Sequence, residues 1–554
     1  MAVIPPGSIA MTSRTFGTPP TRREFLARSS AVVAGLALTP YQRLFAVPLR
    51  SRQPIDSFAP PVLDAEALRQ LARTAIDAAV HAGAEFADVR VSDRREYFPQ
   101  FNGRLAFEFG CGVRVRVAGR EAFAGSADST PDGITRAAQS AVSMARALAA
   151  VSTPGLPLAP APVVTGEWTA PIDIDPFTVA PDDHMFVGSG YTTLGRRHGA
   201  DVTGGFFWRN ETRVFASSEG SLITQHWTRC MPYFSAEFRH WRLYGIPTWL
   251  HIPAFMPCTG GFETVLGAER HDQFEAAVDE MAELAKYPVG LAEVGRKDVV
   301  LDGNALGALL GGTLIPSLSL GRVLGEEQNA GGTSFLSPPE TVLGQTLFSP
   351  QLTLRVAQGM PYDGAMRWDD EGVATTPLTL VDRGAVVNYL GTRATLPVLA
   401  TLPGRSKGAT ASPGTAFSPE VWTLPSSSPA TFVAQANASG PSLAELVKTV
   451  KNGFVMRDAW IEGDQQGAGG ALHPYMMFEV QNGKITRRVI QARIEFATKK
   501  MLHSIDGVGN ARSVAPGYGY AGGGLPFSTY SYTVCAPAVL LKELNIVSNH
   551  VSVA

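Results

Sequence analysis

The sequence predicts an α+β fold: an N-terminal domain of mixed helices and strands, followed by a large antiparallel-sheet, barrel-like C-terminal domain. Three observations predict it. Glycine (56) and proline (40) make up a large share of the 554 residues, which favours many turns and short strands over a helical bundle. Helix patterns lie mostly before residue 290, and beyond Asp298 short strands and turns dominate, an order that argues against alternating βαβ units. Hydrophobic residues at 45% against 17% charged residues exclude a disordered chain or a coiled coil. The length exceeds what one core holds and implies several domains.

Residues 1–46 read as an export segment rather than as fold. Arg22 and Arg23 form a twin-arginine pattern in Thr21-Arg22-Arg23-Glu24-Phe25-Leu26, an apolar run follows from Ala31 to Leu38, and Leu44-Phe45-Ala46 offers a cleavage point. Such a segment is a receptor-read address, and its apolar run is shorter than the ~20 residues of a membrane-spanning helix. The expected location is the periplasm or another compartment reached by the twin-arginine route, with no permanent membrane span. Residues 47–62 read as a linker, 63–290 as the N-terminal domain and 291–554 as the C-terminal domain. Without residues 1–46 the chain carries 42 basic and 48 acidic residues, a net charge of −6. That balance gives no basic field for nucleic acid.

The elements follow in order. Leu68, Leu71, Ala75, Ala78 and Ala79 recur at helical spacing over 63–82, and Gly83 ends that helix. Residues 86–91 and 97–101 read as strands with Asn102-Gly103 as a turn, and Gly110–Val117 alternates again. A helix over 131–150 starts behind Ser129-Thr130 as cap. Residues 153–163 are proline-rich and read as a linker. Strands pair from Thr203 to Gln225 around a turn at 217–221, and a dense aromatic stretch covers 227–249. A helix spans 272–285, and shorter helices fall near 303–311 and 442–452.

Several chemical signals carry little. The four cysteines, Cys111, Cys230, Cys258 and Cys535, are widely separated without a CxxC pair, which excludes a disulfide scaffold and a cysteine-rich zinc module. Gly517 to Gly522 satisfies GxGxxG, but no βαβ unit surrounds it. No GxSxG elbow and no GKS or GKT loop occurs. His226, His240 and His251 with Cys230 and Cys258 match no zinc spacing, and His473 with Asp464 and Glu479 is a weaker ligand set still.

Longer motifs carry more. Gly83-Ala84-Glu85-Phe86-Ala87-Asp88-Val89-Arg90-Val91, Asn102-Gly103-Arg104-Leu105 and Gly112-Val113-Arg114-Val115 stand in the first half. The second half holds Leu320-Gly321-Arg322-Val323-Leu324-Gly325-Glu326-Glu327, Ala330-Gly331-Gly332-Thr333-Ser334-Phe335-Leu336, Trp368-Asp369-Asp370-Glu371-Gly372-Val373 and Asn388-Tyr389-Leu390-Gly391-Thr392-Arg393. In this order, from about residue 63 to 545, the chain resembles the TldD/PmbA family, described as modulators of DNA gyrase and grouped with metallopeptidases. The resemblance implies an enclosed cavity between paired subunits that takes unfolded peptides. In active members it also implies a zinc ion held by an HExxxH helix and a distant cysteine, where the ion activates water and the glutamate moves its proton.

Here the chain departs from the family. Counting back from Leu320-Gly321-Arg322, the first histidine matches Gly311, the glutamate Gly312, the second histidine Pro316, and the distant cysteine Ala459. Gly321 stands where active relatives carry an aspartate. Two glycines and a proline also weaken a helix. No catalytic residue, metal ligand or cofactor is therefore expected. The expectation is a metal-free peptide-binding or scaffold subunit, forming a homodimer or a heterodimer with an HExxxH-bearing relative. The alternative is a peptidase with substitute ligands.

Overall fold

The computed structural model describes residues 63–548 apart from 239–249, 252–256, 329–330, 358–365, 403–410, 419, 428–430 and 524–527. The export segment with Arg22 and Arg23, the linker 47–62, His240 and the His251 side chain lie outside the described residues.

Helix α1 (Ala65–His81) starts at Asp64, whose carboxylate accepts the Ala67 N–H, as an N-cap does. Strand β1 (Phe86–Phe98) runs unbroken, so the two short strands expected there are one. The expected turn is a single helical turn, Pro99–Asn102, ended by Gly103 in the left-handed region. Strands β2 (Arg104–Val117) and β3 (Arg120–Ser126) follow, then α2 (Pro131–Val151), capped by the Thr130 hydroxyl. Next come β4 (Thr165–Thr169), α3 (Pro181–Arg197), β5 (Ala200–Ser217), β6 (Leu222–Phe238), β7 (Leu250–His251), β8 (Cys258–Thr259) and α4 (Ala268–Leu284). The strands form one sheet in the order β3-β2-β1-β5-β6-β4, with β7 and β8 also on β6. Helices α1 and α2 bury Leu68, Leu71, Ile134 and Val142 against Val89, Val91, Val113 and Val214 on one face. The expected linker at 153–163 is tethered: Ala159 donates its N–H to the Arg393 carbonyl, and Arg393 Nε donates back to the Ala159 carbonyl.

The second half begins with β9 (Val289–Leu291), β10 (Gly295–Leu301) and α5 (Gly303–Leu309). Later come α6 (Leu443–Thr449), β11 (Asn452–Gly463), β12 (Gly469–Gln481), β13 (Lys484–Ile490), β14 (Ala492–Ala497), β15 (Ile505–Val508), β16 (Ala515–Gly523), β17 (Ser528–Ala536) and β18 (Val539–Ser548). The order β11-β10-β18-β14-β12 closes on itself because β12 also pairs with β11, so the expected barrel-like sheet is present. A further sheet adds Leu354–Val356, Leu378–Asp382, Ala385–Val386 and Thr431–Ala434 to β17 and β16. The GxGxxG stretch lies in β16, an antiparallel strand. Helix α5 fills the space between the closed sheet and this second sheet: a Cβ at Gly307 would stand 2.9 Å from the Gly517 Cα.

The two halves share a core. Tyr191, Phe206, Phe234, Phe274 and Val278 cluster with Val455, Met476, Phe478 and Leu540 of the barrel.

Candidate functional site

The helix that would carry the metal motif is intact but altered in register. After α5, Leu310–Leu314 winds as a π-helix and Ile315–Ser317 returns to α. The helix was expected to end near 311, and the wider turn is what carries it on. The Ile315 N–H reaches back five residues to the Leu310 carbonyl. Pro316 has no N–H, so in this register the Gly311 carbonyl loses its donor. The Tyr532 hydroxyl supplies the missing hydrogen bond. Thr313 and Ser317 hydroxyls bond back to the Leu309 and Thr313 carbonyls at 2.6 and 2.8 Å.

Gly312 is held by packing from the facing strand. A Cβ there would fall inside the van der Waals surface of the Ile461 side chain on β11. Ala459, two residues earlier on β11 and opposite Pro474, is buried in the same apolar cluster as Leu310, Leu314 and Ile315. The structure therefore brings the strand carrying Ala459 against the helix carrying Gly311, Gly312 and Pro316. These four positions do not fit a zinc ion, because none has a donor side chain and Tyr532 engages the Gly311 carbonyl.

The other candidate ligands are committed elsewhere. His226 meets the Thr212 hydroxyl at 2.8 Å and the Asn210 amide at 3.2 Å, and burial, followed by the Arg95 charge, lowers its pKa. His473 stacks on Trp460 at 4.0 Å and approaches Glu462 at 3.3 Å. Glu479 accepts from Thr486 and Arg487, and Asp464 from the backbone of Gln466 and Ala468. Among the described residues no group of three or more His, Cys, Asp or Glu is arranged to hold a metal ion.

The Trp368–Gly372 motif grips the first sheet. Asp369 accepts the N–H groups of Glu371, Val373 and Ala416, which fixes the turn. Asp370 receives Arg213 at 2.8 Å on both oxygens, and Glu371 receives Arg114 at 2.7 Å and the Arg393 N–H at 2.6 Å. Arg114 also holds Asp88, and Arg213 also holds Glu211. Burial is offset at Glu211 by Arg213 and Arg94, which bring its carboxyl down to about 2.

A cavity of about 80 Å³ opens beside this clamp, lined by Arg114, Glu121, Glu326, Glu327, Thr392 and Thr395 together with residues 424–427. Burial pushes the Glu121 carboxyl up despite Arg114. Glu326 is an exposed residue, yet desolvation by its surroundings, followed by the charges of Glu121 and Glu327, pushes its carboxyl up to about 7. Glu327 is buried, 3.3 Å from the Ser319 hydroxyl and 3.5 Å from Arg322. Gly321 makes room for it: a Cβ there would stand 2.9 Å from Glu327 Oε1. A carboxylate side chain at this position would meet that of Glu327. Burial and the crowding of carboxylates thus favour the protonated form of Glu121 and Glu326. Arg114, Glu326 and Glu327 stand in separate sequence motifs, and Glu121 stands in none; the fold brings all four to one cavity. The adjacent Glu326-Glu327 pair was the available signal.

Fold and motif order together define a PmbA/TldD-type protein related to metallopeptidases. The PmbA/TldA metallopeptidase C-terminal domain model matches residues 294–548, and the model for domain 1 matches residues 102–145. The chain belongs to the PmbA/TldD family. Its fold is similar to TldE from Thermococcus kodakarensis, with TM-score 0.62 and 15% identity over 87% of this chain and 100% of that one. It is equally similar to a putative modulator of a DNA gyrase from Thermotoga maritima, at 0.62 and 15% over 86% and 99%. A putative modulator of DNA gyrase from Bacteroides thetaiotaomicron gives 0.60 and 15% over 87% and 98%. No curated protein matches the chain.

Proposed function

We propose that this chain is an exported, metal-free subunit of a peptide-processing complex, which binds unfolded peptide or scaffolds a catalytic partner. One observation carries the reading. The positions matching the family's ligands and base hold Gly311, Gly312, Pro316 and Ala459; at Gly312 the Ile461 side chain occupies the space of a Cβ, and Ala459 lies in the apolar cluster. Side chains of ligand size would have to displace Ile461 and the apolar cluster. The reading makes the chain useful through what it binds: a second copy, or an HExxxH-bearing relative, with the peptide enclosed between them. Export by the twin-arginine route suits a subunit that crosses the membrane folded, alone or with its partner.

The test is zinc content by mass spectrometry on untagged protein, with cleavage of an unfolded peptide assayed alone and after mixing with an HExxxH-bearing relative from the same organism. Substoichiometric zinc, no cleavage alone, and a dimer or an altered rate on mixing is the expected result. Stoichiometric zinc with chelator-sensitive cleavage by the chain alone would replace the reading with that of an active peptidase.

A further inference from the structure

All four cysteines are buried, and two of them face each other across paired strands. The pairing of β6 with β8 sets Cys230 directly opposite Cys258, and the two thiols lie within hydrogen-bonding reach. Opposed residues of antiparallel strands have Cα atoms about 4.5–5.5 Å apart, inside the ~4.4–6.8 Å window of a disulfide. Cys111 lies on β2 beneath α1 and α2, and Cys535 lies on β17 in another sheet. Neither is opposed to a second cysteine.

We propose that Cys230 and Cys258 form a redox site that closes to a disulfide, tying the two-residue strand β8 covalently to β6. The surroundings suit the bond. Cys230 and Cys258 belong to the aromatic core with Trp208, Phe234 and Phe262, and a disulfide there replaces two weak S–H donors without leaving a strong polar group unsatisfied. The bond would also close the loop over residues 231–257, restricting the unfolded chain. The oxidant is a small-molecule or protein disulfide. One cysteine thiolate attacks it, forming a mixed disulfide and expelling one thiol. The second cysteine then attacks the mixed disulfide and expels the other thiol. Two thiol protons and two electrons pass from the cysteine pair to the oxidant, which leaves as two thiols. Burial and the neighbouring Cys258 thiol hold Cys230 well above the usual thiol range, so thiolate is scarce and closure speeds up as pH rises.

The site rests on strand register and on the shared core around both thiols, and not on the proposed function. Its test uses the full chain with excess oxidised glutathione, in two arms: folded protein, and protein refolded from urea in the same oxidant, so that burial cannot conceal the pair. Free thiols are then alkylated under denaturing conditions, and peptides are mapped without reductant. In at least the refolding arm, a peptide linking Cys230 to Cys258 is expected. Cys111 and Cys535 should stay alkylated, and the link should vanish in Cys230→Ser and in Cys258→Ser. The proposal is overturned by glutathione adducts without the link, by a link that involves Cys111 or Cys535, or by four alkylated cysteines in both arms.

Discussion

Glu326 shows how a single proton reports on the cavity. Its carboxyl is raised from the ordinary 4.5 to about 7, so the folded protein holds this proton more tightly than the unfolded chain does. The resulting stability is fully present below about pH 4.5 and is lost as pH rises through 7. Glu326→Gln keeps the shape and removes the titration. The variant should match the wild type below pH 4.5 and exceed it at pH 8 by about 1 kcal/mol, after allowance for solvent screening. Urea unfolding at several pH values measures the difference, and a pH-independent difference would remove the carboxylate cluster as its cause. The cavity was only half legible in the sequence. Glu326 and Glu327 are neighbours in a conspicuous motif, but Glu121 lies some 200 residues earlier and reaches them only because β3 edges the first sheet. The Cys230 and Cys258 pair was equally hidden, since strand register and not spacing makes them opposite.

Among the elements, α1 and α2 were legible because each has one apolar stripe and a side-chain cap. Helix α3 is hard to see in the sequence, because Gly188 and Gly195 interrupt its pattern. Those glycines are what packing requires: a Cβ at Gly195 would run into Val202, and one at Gly188 into Gln100. The motif helix followed the same logic. Its glycines and proline predicted weakness, whereas the π-turn and Tyr532 preserve the helix. Tyr532→Phe should strand the buried Gly311 carbonyl and cost about 1–3 kcal/mol. Pro316→Ala restores a backbone N–H that can serve the same carbonyl, so the cost of Tyr532→Phe should shrink in that background. A double-mutant cycle in urea reads the coupling. Purely additive costs would mean that the hydroxyl and the missing N–H are unrelated.

At the scale of the molecule, the polar face of the first sheet is what the sequence hides most completely. Asp88, Arg90, Ser92 and Arg94 alternate along β1 as residues of a solvated face would, yet all four are buried. The cover comes from far along the chain: Trp368 to Glu371 on Arg114 and Arg213, and Glu420 on Arg94 at 2.8 Å. Glycines at 110, 112 and 125 let Val421 and Trp422 lie on the strands. Charged groups buried in this way are poor sources of net stability but are costly to break one at a time. Together with the shared aromatic core, they couple the first sheet to the barrel. Asp370→Asn should therefore destabilise the protein by about 1–3 kcal/mol, because Arg213 keeps its charge and loses one of its two carboxylate partners while Glu211 remains. Native-state hydrogen exchange gives the sharper readout. In the wild type, amides of β1 and β5 should open at the same free energy as those of β11 and β12, as one cooperative unit. In Asp370→Asn the first sheet should open at lower free energy than the barrel. Wild-type sheets that already open at separate energies would show that the Trp368–Gly372 turn merely rests on the first sheet, and that the two halves are independent bodies joined by their aromatic contact.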